Sequence, residues 1–138
     1  MSPAVIALLG FVALSISLVA CFLTWRTVQV LKGRPANTFN SRGGVENAPD
    51  FVERAKNAHL NCIENLPLFA AVVGAAYMAN QLSAIEALAY PYLALRVAQS
   101  VIHLIGTSHW LVMARVACFV PQLVILGIMI AKLCTSCH

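Results

Sequence analysis

The chain has 138 residues, of which 60% are hydrophobic and only 10% are charged. Ordinary globular chains are about 25% charged, so this composition and a mean hydropathy of +0.81 exclude a disordered protein and argue against a soluble domain. Nine Lys and Arg against five Asp and Glu give a net charge of +4, without a basic cluster dense enough for nucleic acid. The sequence therefore predicts a small integral membrane protein with no nucleic-acid partner.

Long apolar segments predict four membrane-spanning helices in a single domain. A spanning helix needs about 20 mostly apolar residues, and the chain offers four such stretches. The polar segment between the first two stretches is rich in Gly, Pro and Asn, which predicts a loop over about residues 32–53. The predicted helices cover about residues 3–31, 54–79, 84–105 and 110–132. The expected fold is an all-α membrane four-helix bundle.

Basic residues are distributed unevenly and predict how the chain is oriented. Six of the nine Lys and Arg lie between Arg26 and Lys56, whereas the connection from Asn80 to Glu86 has none. Because basic loops stay on the cytoplasmic side, the first loop is expected to be cytoplasmic and both termini to face away from the cytoplasm. Small residues and short loops are typical of a bacterial inner-membrane protein, in which the termini would be periplasmic.

Polar residues recur at helical spacing inside three of the predicted spans. A charge at the centre of a span costs about 2.5–3.5 kcal/mol on insertion scales, and such residues commonly mark function. Residues spaced by three or four share one helix face. The stripes are Arg54, Asn57, Asn61 and Glu64 on the second helix; Arg96, Gln99, Ser100 and His103 on the third; and Arg115 and Gln122 on the fourth.

The distance of each polar residue from the end of its helix places the three stripes in the same half of the membrane, next to the first loop. At 1.5 Å per residue, Glu64 lies about 15 Å in and Arg96 about 14 Å in, which predicts an intramembrane Glu64–Arg96 ion pair. Taken singly, some of the polar residues are better explained as hydrogen-bonding contacts between helices, namely Asn57, Gln99, Ser100 and Gln122. The combination of Asn61 and Glu64 with Arg115 instead predicts a site for an anionic ligand or a thiolate.

The second helix resembles the signature of the MAPEG family, the membrane-associated proteins in eicosanoid and glutathione metabolism. The family pattern is R-x-x-x-A-x-x-N-x-x-E-x-x-P-x-F, and residues 54–69 meet every position. The segment Arg96–His103 resembles part of the family's third helix, and Arg115 falls where its fourth helix carries a basic residue. The four predicted spans and the long first loop also agree with the architecture of the family, so the resemblance covers nearly the whole chain.

The resemblance implies a homotrimer that binds glutathione between subunits near the cytoplasmic face. Asn61 and Glu64 would hold the polar ends of the tripeptide, and Arg115 would stabilise its thiolate for attack on a lipophilic electrophile. His103 is a second catalytic candidate, since it can donate a hydrogen bond to the thiolate. The resemblance also implies that a basic residue of the first helix and loop takes the glutathione carboxylates, and Arg26, Lys32 and Arg34 are all candidates. Further binding candidates are Arg54, Asn57, Arg96 and Gln99.

Two features leave other functions open. His103 and Phe119 replace hydroxyl-bearing aromatic residues that are usual in eukaryotic members, and Gln99 replaces a histidine of some members, which favours a non-catalytic trimer of the same fold. The chain also ends in Cys134-Thr-Ser-Cys137-His138. This C-x-x-C-H string suggests a membrane redox or metal carrier, although a tail without function is the simpler interpretation.

Overall fold

The computed structural model describes residues 1–39 and 48–136, and these are almost entirely helical. The four long helices are α1 (Pro3–Leu31), α2 (Asp50–Met78), α3 (Glu86–Ile105) and α4 (His109–Ser136). Short 3-10 turns at Ala36–Thr38 and Leu82–Ala84 precede α2 and α3. Each long helix is long and apolar enough to cross a membrane, which confirms the predicted all-α, four-span architecture.

Two of the helices extend beyond the expected residues. Helix α2 begins at Asp50 rather than at residue 54, and its first turn holds the acidic side chains of Asp50 and Glu53. Carboxylates are favoured there because a helix N-terminus carries a partial positive charge. Helix α4 continues to Ser136 rather than ending near residue 132. Cys134 therefore lies on a helix instead of in a free tail.

Two contacts between helix ends fix how the bundle is arranged. The Ser2 hydroxyl at the start of α1 donates to Glu86 at the start of α3, with an O···O distance of 2.6 Å. The Arg54 Nε near the start of α2 donates to the Leu104 carbonyl near the end of α3, at 2.9 Å. Helices α1 and α3 therefore run in the same direction and α2 runs against them. The end of the bundle where α2 and α4 begin is called the loop end below.

The four helices do not contact one another equally. Helix α1 packs along both α2 and α3, and α4 packs mainly along α3, with a smaller contact to α2. At Gly10 the packing is close, because a Cβ atom there would lie 2.9 Å from Leu93 Cδ2. Helix α4 thus leaves a shallow opening towards α2.

Aromatic side chains fill the interior away from the loop end. Phe69 and Tyr92 stack with ring centroids 4.3 Å apart and planes inclined by 10°. Phe11 contacts both rings, at 6.3 Å from Phe69 and 6.2 Å from Tyr92. All three side chains are buried, and together they form what is called the aromatic core below.

Candidate functional site

A groove of about 230 Å³ lies between α2, α3 and α4 in the half of the bundle near the loop end. Four of the residues predicted to form a site line it together, contributed by three different helices. The groove is lined by Asn61, Gln99, His103, Val112, Arg115, Val116 and Phe119. It is called the α3–α4 groove below.

Helical spacing explains how each wall of the groove is built. On α3, Gln99 and His103 are four residues apart and share one face. On α4, the lining residues fall at positions 112, 115, 116 and 119, which also form one face. This face is apolar apart from Arg115, so an apolar wall surrounds the one guanidinium in the groove.

Arg115 has no acceptor for its charge within residues 1–39 and 48–136. Its side chain is half-buried, and within the described residues no carboxylate or carbonyl oxygen forms a hydrogen bond or ion pair with it. A partly buried cation without a counter-charge is an unfavourable arrangement in a membrane-spanning helix. Arg115 is therefore suited to bind an anion that enters the groove.

Asn61 is held in place from behind by Arg96. The Arg96 Nη1 donates to the Asn61 Oδ1 at 2.5 Å, and the Arg96 guanidinium lies 5.1 Å from the centre of the Phe11 ring. Since its oxygen is used by this bond, Asn61 presents its amide nitrogen on the groove side. Arg96 itself is only 1% exposed and does not line the groove, so it acts on the site through Asn61.

The predicted Glu64–Arg96 ion pair is wrong. Glu64 is exposed on the outer face of α2, and Arg96 points into the bundle, where its Nε and Nη2 have no hydrogen-bond partner among the described residues. The buried face of α2 includes Cys62, and Glu64 lies two residues further on, about 200° around the helix. The spacing correctly predicted that these residues of α2 lie near one another on the helix surface. It did not determine which of them face the inside of the bundle.

Two other predicted residues line a separate, more polar groove at the loop end. This second groove has a volume of about 240 Å³ and is lined by Asp50, Glu53, Arg54, Asn57 and Thr107. Arg54 uses its Nε to bind the Leu104 carbonyl, where a cation is favoured by the dipole at the end of α3. Arg54 therefore joins two helices in addition to lining this groove.

Arg34 lies apart from both grooves, just beyond the end of α1. Its guanidinium lies 5.3 Å from the centre of the Phe39 ring. Arg26 from the last part of α1 also lies over this ring, at 5.6 Å. The single chain thus brings Arg34 to the loop end without bringing it into contact with Asn61 or Arg115.

Sequence reasoning missed the apolar wall of the groove and predicted Gln122 correctly as a contact between helices. Val112 and Val116 were assigned no role, although their spacing from Arg115 and Phe119 places all four on one face of α4. Gln122 was weighed only as a contact between helices. It is 1% exposed and its Nε2 donates to the Oε1 of Gln99 at 2.9 Å, so it belongs to the structure behind the groove.

Cys134 is the one potential metal ligand of the C-terminal C-x-x-C-H string that lies among the described residues. Cys134 is exposed on α4, at the opposite end from the α3–α4 groove, while Cys137 and His138 lie outside the described residues. Among residues 1–39 and 48–136, no three His, Cys, Asp or Glu side chains are grouped as metal ligands.

Comparisons with known proteins agree with the resemblance of the second helix. The sequence model of the MAPEG family matches residues 4–135, which is nearly the whole chain. Searches of curated proteins and of solved structures gave no match. The match extends over all four helices, including every residue of the α3–α4 groove, and the chain therefore belongs to the MAPEG family.

Proposed function

We propose that this protein is a membrane-bound glutathione transferase or peroxidase-like enzyme, with the reaction centre in the α3–α4 groove. Arg115 stabilises the thiolate of glutathione, since a nearby cation favours the charged form of the sulfur. His103, which lines the same groove, donates a hydrogen bond to the thiolate. The sulfur then attacks a lipophilic electrophile that enters from the bilayer along the apolar wall of α4.

The observation that carries this proposal is the donor character of the groove. Arg115 has only hydrogen-bond donors. Asn61 accepts from Arg96 through its oxygen and Gln99 accepts from Gln122 in the same way, so both amides present their nitrogens. A groove lined by donors and apolar side chains selects a ligand that is both acceptor-rich and partly apolar. A thiolate tripeptide beside a lipophilic molecule meets both requirements.

The size of the groove and the position of Glu64 support a homotrimer. A volume of about 230 Å³ is less than the about 300–1,000 Å³ typical of ligand sites, so a neighbouring subunit completes the site. Glu64 lies exposed within a spanning helix, where contact with lipid is unfavourable. In the trimer, Glu64 faces the neighbouring subunit and helps to bind the tripeptide.

Residues at the loop end complete glutathione binding. Arg54 and Asn57 line the second groove and, with Arg34 from the end of α1, supply cations and amides for the glutathione carboxylates. The surplus of basic residues near this end orients it towards the cytoplasm. In this arrangement both termini are periplasmic in a bacterial inner membrane, and glutathione enters from the cytoplasm.

One observation favours a second candidate, a non-catalytic membrane protein of the same fold. Phe119 lines the groove with an apolar ring, at a position where a hydroxyl group would assist the thiolate. Without that hydroxyl, the groove could bind a ligand without activating it. Catalysis therefore depends on Arg115, together with His103.

Glutathione binding to the detergent-purified protein, with and without Arg115→Ala, tests the proposal. Calorimetry measures binding, ultraviolet absorbance of the thiolate measures activation, and conjugation of a hydrophobic electrophile measures turnover. We expect the wild-type protein to give all three signals. We expect Arg115→Ala to lose the thiolate signal and about 10²–10³ in conjugation rate, the range for a lost transition-state donor.

The matched control is Lys132→Ala, which removes an exposed cation from the same helix at the end away from the groove. This control should keep all three signals. If the wild-type protein does not bind glutathione, the proposed glutathione-dependent enzyme activity is excluded. Binding without a thiolate signal or turnover would establish the non-catalytic alternative, and turnover unaffected by Arg115→Ala would remove the role of Arg115 alone.

A further inference from the structure

A pair of buried glutamines joins α3 and α4 behind the groove. Gln122 is 1% exposed and Gln99 is 4% exposed. The Nε2 of Gln122 donates to two oxygens, the Cys118 carbonyl at 2.9 Å and the Gln99 Oε1 at 2.9 Å. One side-chain nitrogen thus links the backbone of its own helix to a residue that lines the groove.

The chemistry of these two bonds fixes the orientation of both amides. A backbone carbonyl can only accept hydrogen bonds, so Gln122 must place its nitrogen, and not its oxygen, against Cys118. That nitrogen carries a second hydrogen, which the Gln99 oxygen accepts. Gln99 therefore cannot turn its oxygen outward without breaking the bond, and its own nitrogen is held on the opposite side.

The nitrogen of Gln99 is available to a ligand. Gln99 lines the groove, and in the part of the chain that the structure describes its only hydrogen-bond partner is Gln122. The Oε1 of Gln122, in contrast, is buried without a partner among the same residues. An unpaired buried oxygen reduces stability, so the pair is better explained by the orientation it imposes than by the stability it adds.

The position of Gln99 assigns it to the second substrate and not to glutathione. Gln99 lies four residues before His103 on α3, about 6 Å deeper from the loop end. It faces a wall that includes Val116 and Phe119. The glutathione carboxylates are held by the cations nearer the surface and its thiolate by Arg115, whereas the neutral amide of Gln99 beside apolar side chains matches a neutral carbonyl oxygen.

We propose that Gln122 is a positioning residue that holds the Gln99 amide nitrogen towards the groove, where it binds the carbonyl oxygen of an α,β-unsaturated aldehyde or ketone. This inference rests on the proposed glutathione transferase function. It narrows the electrophile from any lipophilic molecule to one that carries a hydrogen-bond acceptor conjugated to its reactive carbon.

The reaction balances without a further reactant. The glutathione thiol first loses its proton to solvent. The thiolate sulfur then forms a bond to the β-carbon, the carbon–carbon π pair shifts, and the carbonyl oxygen gains the negative charge of an enolate. The α-carbon takes a proton from solvent and the carbonyl reforms. Because charge develops on the oxygen, the hydrogen bond from Gln99 strengthens in the transition state, which is the condition for catalysis.

The test compares two electrophiles of equal chain length, trans-2-octenal and 1-iodooctane, with the full-length protein and glutathione. Only the first carries a carbonyl oxygen. The variants are Gln99→Met and Gln122→Met, which keep side-chain volume while removing the hydrogen bonds. The measured quantity is the ratio of kcat/KM for the aldehyde to kcat/KM for the iodide, with glutathione affinity measured in parallel.

We expect Gln99→Met to lower this ratio by about 10²-fold, as for loss of one oxyanion donor. Gln122→Met should lower it by about tenfold, because the Gln99 amide then rotates and presents its donor only part of the time. The control is Ser15→Ala, which removes a buried hydroxyl that contacts His59 between α1 and α2. It should leave the ratio unchanged, whatever it does to stability.

If Gln122→Met leaves the aldehyde-to-iodide ratio of kcat/KM unchanged, including by equal losses with both electrophiles, the positioning role is refuted. If Gln122→Met does not fold, Gln122→Glu replaces it and the same ratio is measured. A carboxyl group lacks the two hydrogens that Gln122 donates to the Cys118 carbonyl and to the Gln99 Oε1. Wild-type protein that binds no glutathione would instead refute the proposed function, and this inference with it.

Discussion

Away from the loop end, the bundle is closed by the aromatic core of Phe11, Phe69 and Tyr92, whose rings contact one another. Near the loop end, the same helices enclose Arg96 and Gln122, whose side chains keep polar atoms without partners among the described residues. In the first region the side chains pack against one another, whereas in the second some buried polar atoms have no hydrogen-bond partner among the described residues. The comparison separates a region packed by apolar contacts from one that keeps unpaired buried polar atoms, as we expect of a ligand site.

The two regions meet at Arg96. Its guanidinium lies over Phe11 while its Nη1 donates to Asn61, so one side chain connects the aromatic core to the α3–α4 groove. Changes in the aromatic core should therefore affect stability, and changes near the groove should affect binding. The predictions for Phe69, Arg96 and Gly10 test that separation, and the prediction for Arg54 tests a bond that joins two helices at the loop end.

The largest expected effect is on stability, from Phe69→Ala. This change removes a buried ring that stacks on Tyr92 and should reduce the free energy of unfolding by about 3–5 kcal/mol. Denaturant titration in detergent measures the loss, with Leu68→Ala, an exposed neighbour on the same helix, as control. A glutathione affinity that fell with Phe69→Ala in the protein that remains folded would contradict the separation of the two regions.

Arg54→Gln should have the next largest effect, because it removes the bond to the Leu104 carbonyl. A hydrogen bond to a charged group contributes about 1.5–3 kcal/mol, and we expect a loss of that size in the free energy of unfolding. The matched control is Lys32→Gln, which removes an exposed cation at the same end of the bundle. An equal loss in both variants would mean that net charge, and not this bond, is the cause.

Arg96→Met should lower glutathione affinity while leaving the free energy of unfolding nearly unchanged. Without its donor, Asn61 is free to rotate, and we expect glutathione affinity to fall about tenfold, or about 1.4 kcal/mol. Stability should change little, because a buried cation with unpaired nitrogens is replaced by an apolar side chain of similar length. Calorimetry and denaturant titration of the same samples give the two values. Unchanged affinity would show that Arg96 does not position Asn61.

The smallest effect should come from Gly10→Ala on the interface between α1 and α3. A Cβ atom there lies 2.9 Å from Leu93 Cδ2, the end of a flexible side chain that can move aside. We expect a loss of about 1 kcal/mol in the free energy of unfolding with unchanged glutathione affinity. Gly127→Ala is the control, because a Cβ atom there would meet no other element within 4 Å in the described part of the chain. A loss of affinity with Gly10→Ala would indicate coupling between the helix interface and the groove.

The polar stripes grouped the residues that share a face of each helix but did not determine how that helix is rotated in the bundle. Asn61, Gln99, His103 and Arg115 were predicted as site residues, and all four line one groove. Glu64 belongs to the same stripe as Asn61 yet lies exposed, just outside the face of α2 that lines the groove. A step of three residues leaves about 60° between two side chains, enough to place one in the groove and the other outside it.

The sequence by itself determined the four spans, because the length of an apolar segment alone decides whether it can cross a bilayer. It also determined the family, since the R-x-x-x-A-x-x-N-x-x-E-x-x-P-x-F pattern lies within one helix. Only the tertiary structure decided that Arg96 binds Asn61 and that Gln122 binds Gln99. Those bonds join different helices, and their geometry depends on how each helix is rotated and packed against its neighbours.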